Sequence, residues 1–152
     1  MKVREVITEN VQACQRDTDL AAVTKLMWDH DCGFVPVVDE SGAVVGAITD
    51  RDICIATGTR GLPPQRIAAS QAMSTPVHGC APDDTLTRAL ATMKQFKVRR
   101  LPVIDDNGLL KGVVSMNDII LATEHGKGAA LKEIVSTMAA ICEHRTVATA
   151  AA

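Results

Sequence analysis

Two segments carry the side chains best suited to chemistry: Gly46-Ala-Ile-Thr-Asp-Arg-Asp52 and Gly112-Val-Val-Ser-Met-Asn-Asp118. Each places a hydroxyl, Thr49 or Ser115, three residues before an aspartate, Asp52 or Asp118, where an apolar stretch gives way to a helix-start signal. A hydroxyl beside the free backbone N–H groups of a helix start can hold a phosphate. An aspartate accepting through both oxygens can take the two hydroxyls of a ribose. The same spacing is also that of a helix capping box, which implies no ligand. Both readings stand at this point, and a cap and a ligand site can coexist.

The elements that position these residues occur twice. An offset of 66 residues lays Cys32–Ile53 on Val98–Ile119 and pairs Pro36 with Pro102, Val37 with Val103, Asp39 with Asp105, Gly42 with Gly108, Gly46 with Gly112 and Asp52 with Asp118. Upstream, Val11/Val77, Cys14/Cys80, Asp17/Asp83, Leu20/Leu86 and Met27/Met93 keep the same register without a gap. The chain is a duplication. In each copy acidic residues mark a helix start at Asp17–Asp19 and Asp83–Thr85. Apolar residues at helical spacing follow (Leu20, Val23, Met27; Leu86, Ala89, Leu90, Met93). Next come a strand, a short Gly-containing polar turn and a second strand, at 35–48 and 101–114, which together read as a hairpin. The strands are apolar for nearly their full length, so the sheets are expected to be covered on both faces. A second helix is expected from Asp52 and from Asp118.

Between the copies, Thr57–Pro64 reads as a loop from its glycines and prolines. The division expected is repeat 1 at 1–58, a linker at 59–68, repeat 2 at 69–124 and a helical tail at 125–152. A unit of this size is marginal alone, so the copies should bury their sheets against each other. In the tail, Leu131, Ile134, Val135, Met138 and Ile141 form one apolar stripe from Gly128 to Cys142, and Ala148–Ala152 should fray.

Composition narrows the function. The 152 residues are 47 % hydrophobic and 22 % charged, an ordinary globular balance, with a formal net charge of −2. There is no basic excess to neutralise a phosphate backbone, and the three aromatic residues Trp28, Phe34 and Phe96 offer no stacking platform, so nucleic acid is not an expected partner. No apolar run reaches the roughly 20 residues that span a bilayer, and Met1–Val6 does not read as a signal peptide. The five cysteines, Cys14, Cys32, Cys54, Cys80 and Cys142, are odd in number and form no Cys-x-x-Cys pair, which suits reduced thiols and a cytoplasmic location.

The doubled unit of helix, Val-Pro-Val-Val-Asp-Glu-Ser-Gly, strand and Gly-Ala-Ile-Thr-Asp-Arg-Asp resembles a CBS domain, and two in tandem over residues 1–124 resemble a Bateman module. The resemblance implies an α/β fold: two β-α-β-β-α units with pseudo-twofold symmetry, here with a C-terminal helical extension. It implies a regulatory protein of the two-repeat type, with no catalytic cofactor. The ligand in the clefts between repeats would contain adenosine: AMP, ADP or ATP first, S-adenosylmethionine or NAD less so. Carried over by position, one cleft joins Thr8, Gln12, Cys32, Gly33 and Phe34 to Ser115 and Asp118. The other joins Ser74, His78, Val98, Arg99 and Arg100 to Thr49, Arg51 and Asp52. The second gathers three arginines, a phosphate clamp, and is the favoured site; the first gains no cation from these positions. Solvation of a strand start is the bland alternative for Arg99 and Arg100.

Neither Cys142-Glu143-His144 nor His30-Asp31-Cys32 has a zinc spacing, so no metal is expected, and Cys14 and Cys80 read as core. No Gly-x-Gly-x-x-Gly, Walker, Gly-x-Ser-x-Gly or His-Glu-x-x-His motif is present, so an enzyme is not expected. The expected function is a sensor that binds an adenine nucleotide and signals to a regulated partner whose identity the sequence does not give. The rivals are an interaction protein with vestigial clefts and a redox- or metal-responsive protein using Cys32 or Cys142. The apolar stripes on the first helix of each repeat exceed what one thin sheet pair should cover, and with the tail stripe they point to a homodimer.

Overall fold

The computed structural model describes residues 1–126 and 128–143. The expected fraying of Ala148–Ala152 and the position of His144 lie outside the described residues. The elements run β1 (Cys14–Gln15), α1 (Leu20–Asp29), β2 (Phe34–Val38), β3 (Val44–Thr49), α2 (Asp50–Arg60), α3 (Leu86–Phe96), β4 (Arg100–Ile104), β5 (Leu110–Ser115), α4 (Met116–Glu124) and α5 (Leu131–Cys142). Strand β1 pairs parallel to β2, which pairs antiparallel to β3. In the second repeat β4 and β5 form the same hairpin, and Cys80 makes a single parallel bridge to Val103 where β1 stands in the first.

Both hairpins turn by the same device. Gly42 and Gly108 take φ of 83° and 82°, a conformation that costs glycine little. The carboxylate of Asp39 accepts from the backbone of Ser41 and Ala43, and Asp105 accepts from Asn107 and Leu109. Such Asx turns fix the register of the strands. Val35, Pro36 and Val37, like Leu101, Pro102 and Val103, are buried in succession, so both sheet faces are covered as expected.

The helix starts follow from their capping residues. Asp19 and Thr85 accept from the backbone of Ala22 and Arg88. Thr49 and Ser115 cap α2 and α4, which therefore begin at Asp50 and Met116, two residues before the aspartates expected to open them. Thr57–Arg60, expected as loop, continues α2: hydroxyls of Thr57 and Thr59 bond back to the carbonyls of Ile53 and Ile55, and the helix stops only at Gly61, φ 60°. A single glycine at 58 did not break it.

The two cores exchange segments. Leu20, Val23, Met27, Val35, Val37 and Ile48 form the first core, which is completed by Ile67 and Ala69. Ile67 lies in the stretch expected to be a linker, and it is fully buried. Leu86, Leu90, Met93, Leu101, Val103, Val114 and Ile119 form the second, which is completed by Val3. Val3 and Ala69 stand at the 66-residue offset. The crossings that carry these segments are also equivalent: Thr8 exchanges two backbone hydrogen bonds with Val113 (both 3.0 Å), and Ser74 exchanges two with Ala47 (2.8 and 3.3 Å). Ala43 bridges its own equivalent, Leu109. These contacts are the pseudo-twofold relation in atomic terms.

Two expectations about surface stripes are corrected. Leu20, Val23, Met27, Leu86, Leu90 and Met93 are all buried inside their own repeats, so they offer no face to a second copy. The tail helix α5 packs on α3 and α4 of the second repeat with Ile134, Met138 and Ile141 inward, while Leu131 (71 % exposed) and Val135 (66 %) point outward. Buried Thr137 shares the inward side, so the contact face is rotated from the stripe drawn through apolar residues alone. No helix among the described residues is long and apolar enough to cross a membrane.

Candidate functional site

At both strand-to-helix junctions the capping box is complete. Ser115 donates through its backbone N–H and its hydroxyl to Asp118 Oδ2 (both 2.7 Å) and accepts from the Asp118 N–H (3.2 Å). Thr49 does the same with Asp52, at 2.8, 2.7 and 3.2 Å. The hydroxyl proton is therefore directed at the carboxylate and not toward a phosphate. Oδ2 is already twice engaged, whereas Oδ1 of each aspartate has no partner among the described residues.

A cavity of about 330 Å³ lies between the repeats beside Asp118. Thr8, Gln12, Cys32, Phe34, Ser115 and Asp118, six of the seven residues carried over to this cleft, line it together; Gly33 lines an adjoining cavity of about 490 Å³. Asn10, Val11, His30, Asp31 and Val113 also line the first cavity and, most consequentially, so does Arg100, which the sequence reading had given to the other cleft. Val11, Phe34 and Val113 give the cavity an apolar flank. The adjoining cavity shares Asp31, Cys32 and Arg100 with the first and adds Trp28 (86 % exposed), Asp50 and Arg99.

The expected arginine clamp is thereby divided. Arg100 stands opposite Ser115 in the β4–β5 register. Directly opposed residues of an antiparallel pair project to the same face about 5 Å apart, so Arg100 joins the cleft of Ser115 and Asp118. That cleft, expected to lack a cation, has one. Arg99 lies in the adjoining cavity with Arg100. Arg51, at the start of α2, is exposed and lines neither cavity.

Around Asp52 the backbone frame is equivalent, through the Ser74–Ala47 bridge, but the side chains differ. His78 lies on Phe96, ring centroids 3.4 Å apart and planes within 8°. Val98 is half-buried and packs against the second core. Among the cysteines, burial pushes the thiols of Cys14 and Cys80 up to about 11 and about 12, as befits core positions. Cys32 is half-buried in the cavity wall, and Cys54 and Cys142 are exposed. Among the described residues no three His, Cys, Asp or Glu side chains gather as a metal site.

The duplicated hairpin-and-helix unit, its exchanged segments and its capped junctions match a known family twice over: the CBS-domain model matches residues 3–57 and 69–125. The chain belongs to the CBS-domain family. Hypoxic response protein 1 of Mycobacterium tuberculosis is 29 % identical over 137 residues, covering 90 % of this chain and 95 % of that protein. A crystal structure of Hypoxic Response Protein I, with two coordinated zinc ions, is similar at a TM-score of 0.74 and 27 % identity, covering 80 % of this chain and 98 % of that one. The CBS domain pair of protein MJ0100, in complex with 5′-methylthioadenosine and S-adenosyl-L-methionine, matches at a TM-score of 0.76 and 22 % identity over 84 % of this chain and 98 % of that one. CBSX2 in complex with AMP matches at 0.70 and 21 % over 82 % and 96 %. The chain is thus a tandem CBS pair with the fold of these neighbours.

Proposed function

We propose that this CBS pair is a regulatory sensor that binds an adenosine-containing ligand, AMP, ADP or ATP, in the cleft beside Asp118 and passes its occupancy to a partner protein. The observation that carries this reading is the content of one cavity: an apolar flank for a base, an aspartate with one open carboxylate oxygen for a ribose hydroxyl, and a guanidinium for a phosphate. Support comes also from the CBS pairs that hold AMP or S-adenosylmethionine with 5′-methylthioadenosine. The reading moves the favoured site from Asp52 to Asp118, because Arg100 lies there. Signalling requires that the ligand prefer one conformation of the pair over another. Ligands with a longer tail, such as S-adenosylmethionine or NAD, would extend past Arg100 into the cavity of Trp28, Asp50 and Arg99.

A homodimer remains part of the proposal on a different surface from the one the stripes suggested: exposed Ile55 of α2 with Ile120 and Leu121 of α4. A monomer by light scattering at micromolar concentration would remove it. The functional reading is tested by thermal denaturation with AMP, ATP, S-adenosylmethionine and GMP. A ligand at 100 times its Kd stabilises by about 2.7 kcal/mol, an upward Tm shift of about 5–11 °C for a chain of this size. Equal, negligible shifts with all four contradict it.

A further inference from the structure

The 66-residue offset relates the two clefts position by position, which makes one large difference between them visible. Beside Asp118, Gln12 and His30 line open space. Their equivalents beside Asp52 are His78 and Phe96, which lie flat on each other at 3.4 Å. That is the thickness of one aromatic layer, the gap a purine would have to enter. Aromatic pairs without constraint sit offset or edge-to-face with centroids about 4.5–7 Å apart, so this pair is held face to face by its frame.

The frame is visible in the backbone. His78 lies between two anchors. On one side Ser74 is bonded to Ala47; on the other Cys80 donates to Pro102 (3.1 Å) and accepts from Ile104 (2.9 Å). Phe96 is the last residue of α3, and Lys97 ends that helix in a left-handed turn, φ 52°. The first repeat has the same anchors, Thr8 on Val113 and Cys14 on Val37, and the same left-handed residue, Asp31, φ 47°. The anchors agree, but the backbone between them does not: Thr75–Pro76 is cis where the first repeat has Asn10 at φ 55°, and α3 runs one residue further than α1, so that Phe96 is helical where His30 is not.

We propose that the His78–Phe96 stack is a built-in plug that closes the Asp52 cleft, so that each chain takes one nucleotide, beside Asp118. The plug assigns to two side chains and the backbone that seats them the asymmetry between halves of a duplicated protein, and it rests on the nucleotide reading given above. Removing either ring reopens a second site that still holds the capping aspartate, Asp52, and its open Oδ1.

The test is calorimetric titration with AMP of the full chain, as wild type, Phe96→Ala and His78→Gln. The last substitution installs the side chain found at the equivalent position 12. The expected result is one AMP per chain in the wild type and two in both variants. Two per chain in the wild type, or one in both variants, overturns the plug. Absence of heat in every protein defeats the nucleotide reading itself and with it the single-site stoichiometry. The stack is then decided separately by NMR: His78 ring protons shifted upfield in the wild type and relaxed in Phe96→Ala support it, and identical shifts in the two proteins overturn it.

Discussion

Replacing Arg100 by alanine should divide the ligand into its parts. Arg100 is half-buried in the cavity wall, opposite Ser115 on the neighbouring strand, and has no ion-pair partner among the described residues. A charge-assisted hydrogen bond from such a position contributes about 1.5–3 kcal/mol. At about 1.4 kcal/mol per factor of ten, AMP should bind about ten- to 150-fold more weakly to Arg100→Ala. Adenosine, which has no phosphate, should lose little. In the wild type the same term separates the two ligands, so adenosine should bind at least tenfold more weakly than AMP. Raising the salt should narrow that gap, because the group is only partly withdrawn from water. The assay is calorimetry of AMP and adenosine on both proteins at two salt concentrations. Equal loss of both ligands would mean that Arg100 supports the cavity wall rather than a phosphate. Equal wild-type affinities would refute phosphate recognition altogether.

Other outcomes follow from the same structure. Gly112→Ala should destabilise the chain by about 1–3 kcal/mol, since its Cβ would lie 2.5 Å from the Thr8 carbonyl oxygen at the repeat crossing; Gly58→Ala, with nothing within 4 Å, should stabilise α2 by about 0.5–1 kcal/mol. Chemical denaturation that ranks the two the other way contradicts the crossing. Thiol labelling of the native chain should reach Cys54 and Cys142 readily and spare Cys14 and Cys80, with AMP slowing the reaction of Cys32; mass spectrometry showing Cys32 unaffected by AMP places the ligand elsewhere. The Asp39 carboxyl is held below its ordinary value of 3.8, first by the Ser41 hydroxyl, and Asp105 likewise, first by Lys111. Their contribution is present above the ordinary carboxylate value and lost as pH falls through the lower folded values. Asp39→Asn should therefore flatten the decline of Tm between pH 4 and pH 2, and an unchanged slope would remove that turn from the acid response.

Much of this architecture was legible because duplication supplies its own control. The offset of 66 located both hairpins, both caps and the two-repeat fold without any structure, and six of seven residues assigned to one cleft line a single cavity. What failed had local causes. Thr57–Arg60 was read as loop from one glycine, but threonine hydroxyls bonding back along the helix and the stop at Gly61 carry α2 further. The amphipathic stripes of α1 and α3 were assigned to a dimer because the exchange of Val3 and Ile67 between cores, which helps to cover them, depends on contacts far apart in sequence. Arg100 was assigned to the Asp52 cleft from its position in the family motif alone, without the hairpin register that also sets it on the wall of the Asp118 cavity. The turn at Asp105–Gly108 sets Arg100 against Ser115, so that signal was present in the sequence. The His78–Phe96 stack had no such signal, since neither ring is remarkable at its own position.

The central claim is that the nucleotide sits beside Asp118, and its most direct measurement is AMP affinity by calorimetry in the wild type, Asp118→Ala and Asp52→Ala. Both substitutions remove the equivalent N3 carboxylate of a capping box and should cost about 0.3–1 kcal/mol of stability each, so melting temperatures should fall by similar amounts and serve as the internal control. Binding should be lost in Asp118→Ala and retained in Asp52→Ala. Retention in Asp118→Ala with loss in Asp52→Ala would return the ligand to the other cleft and contradict the account.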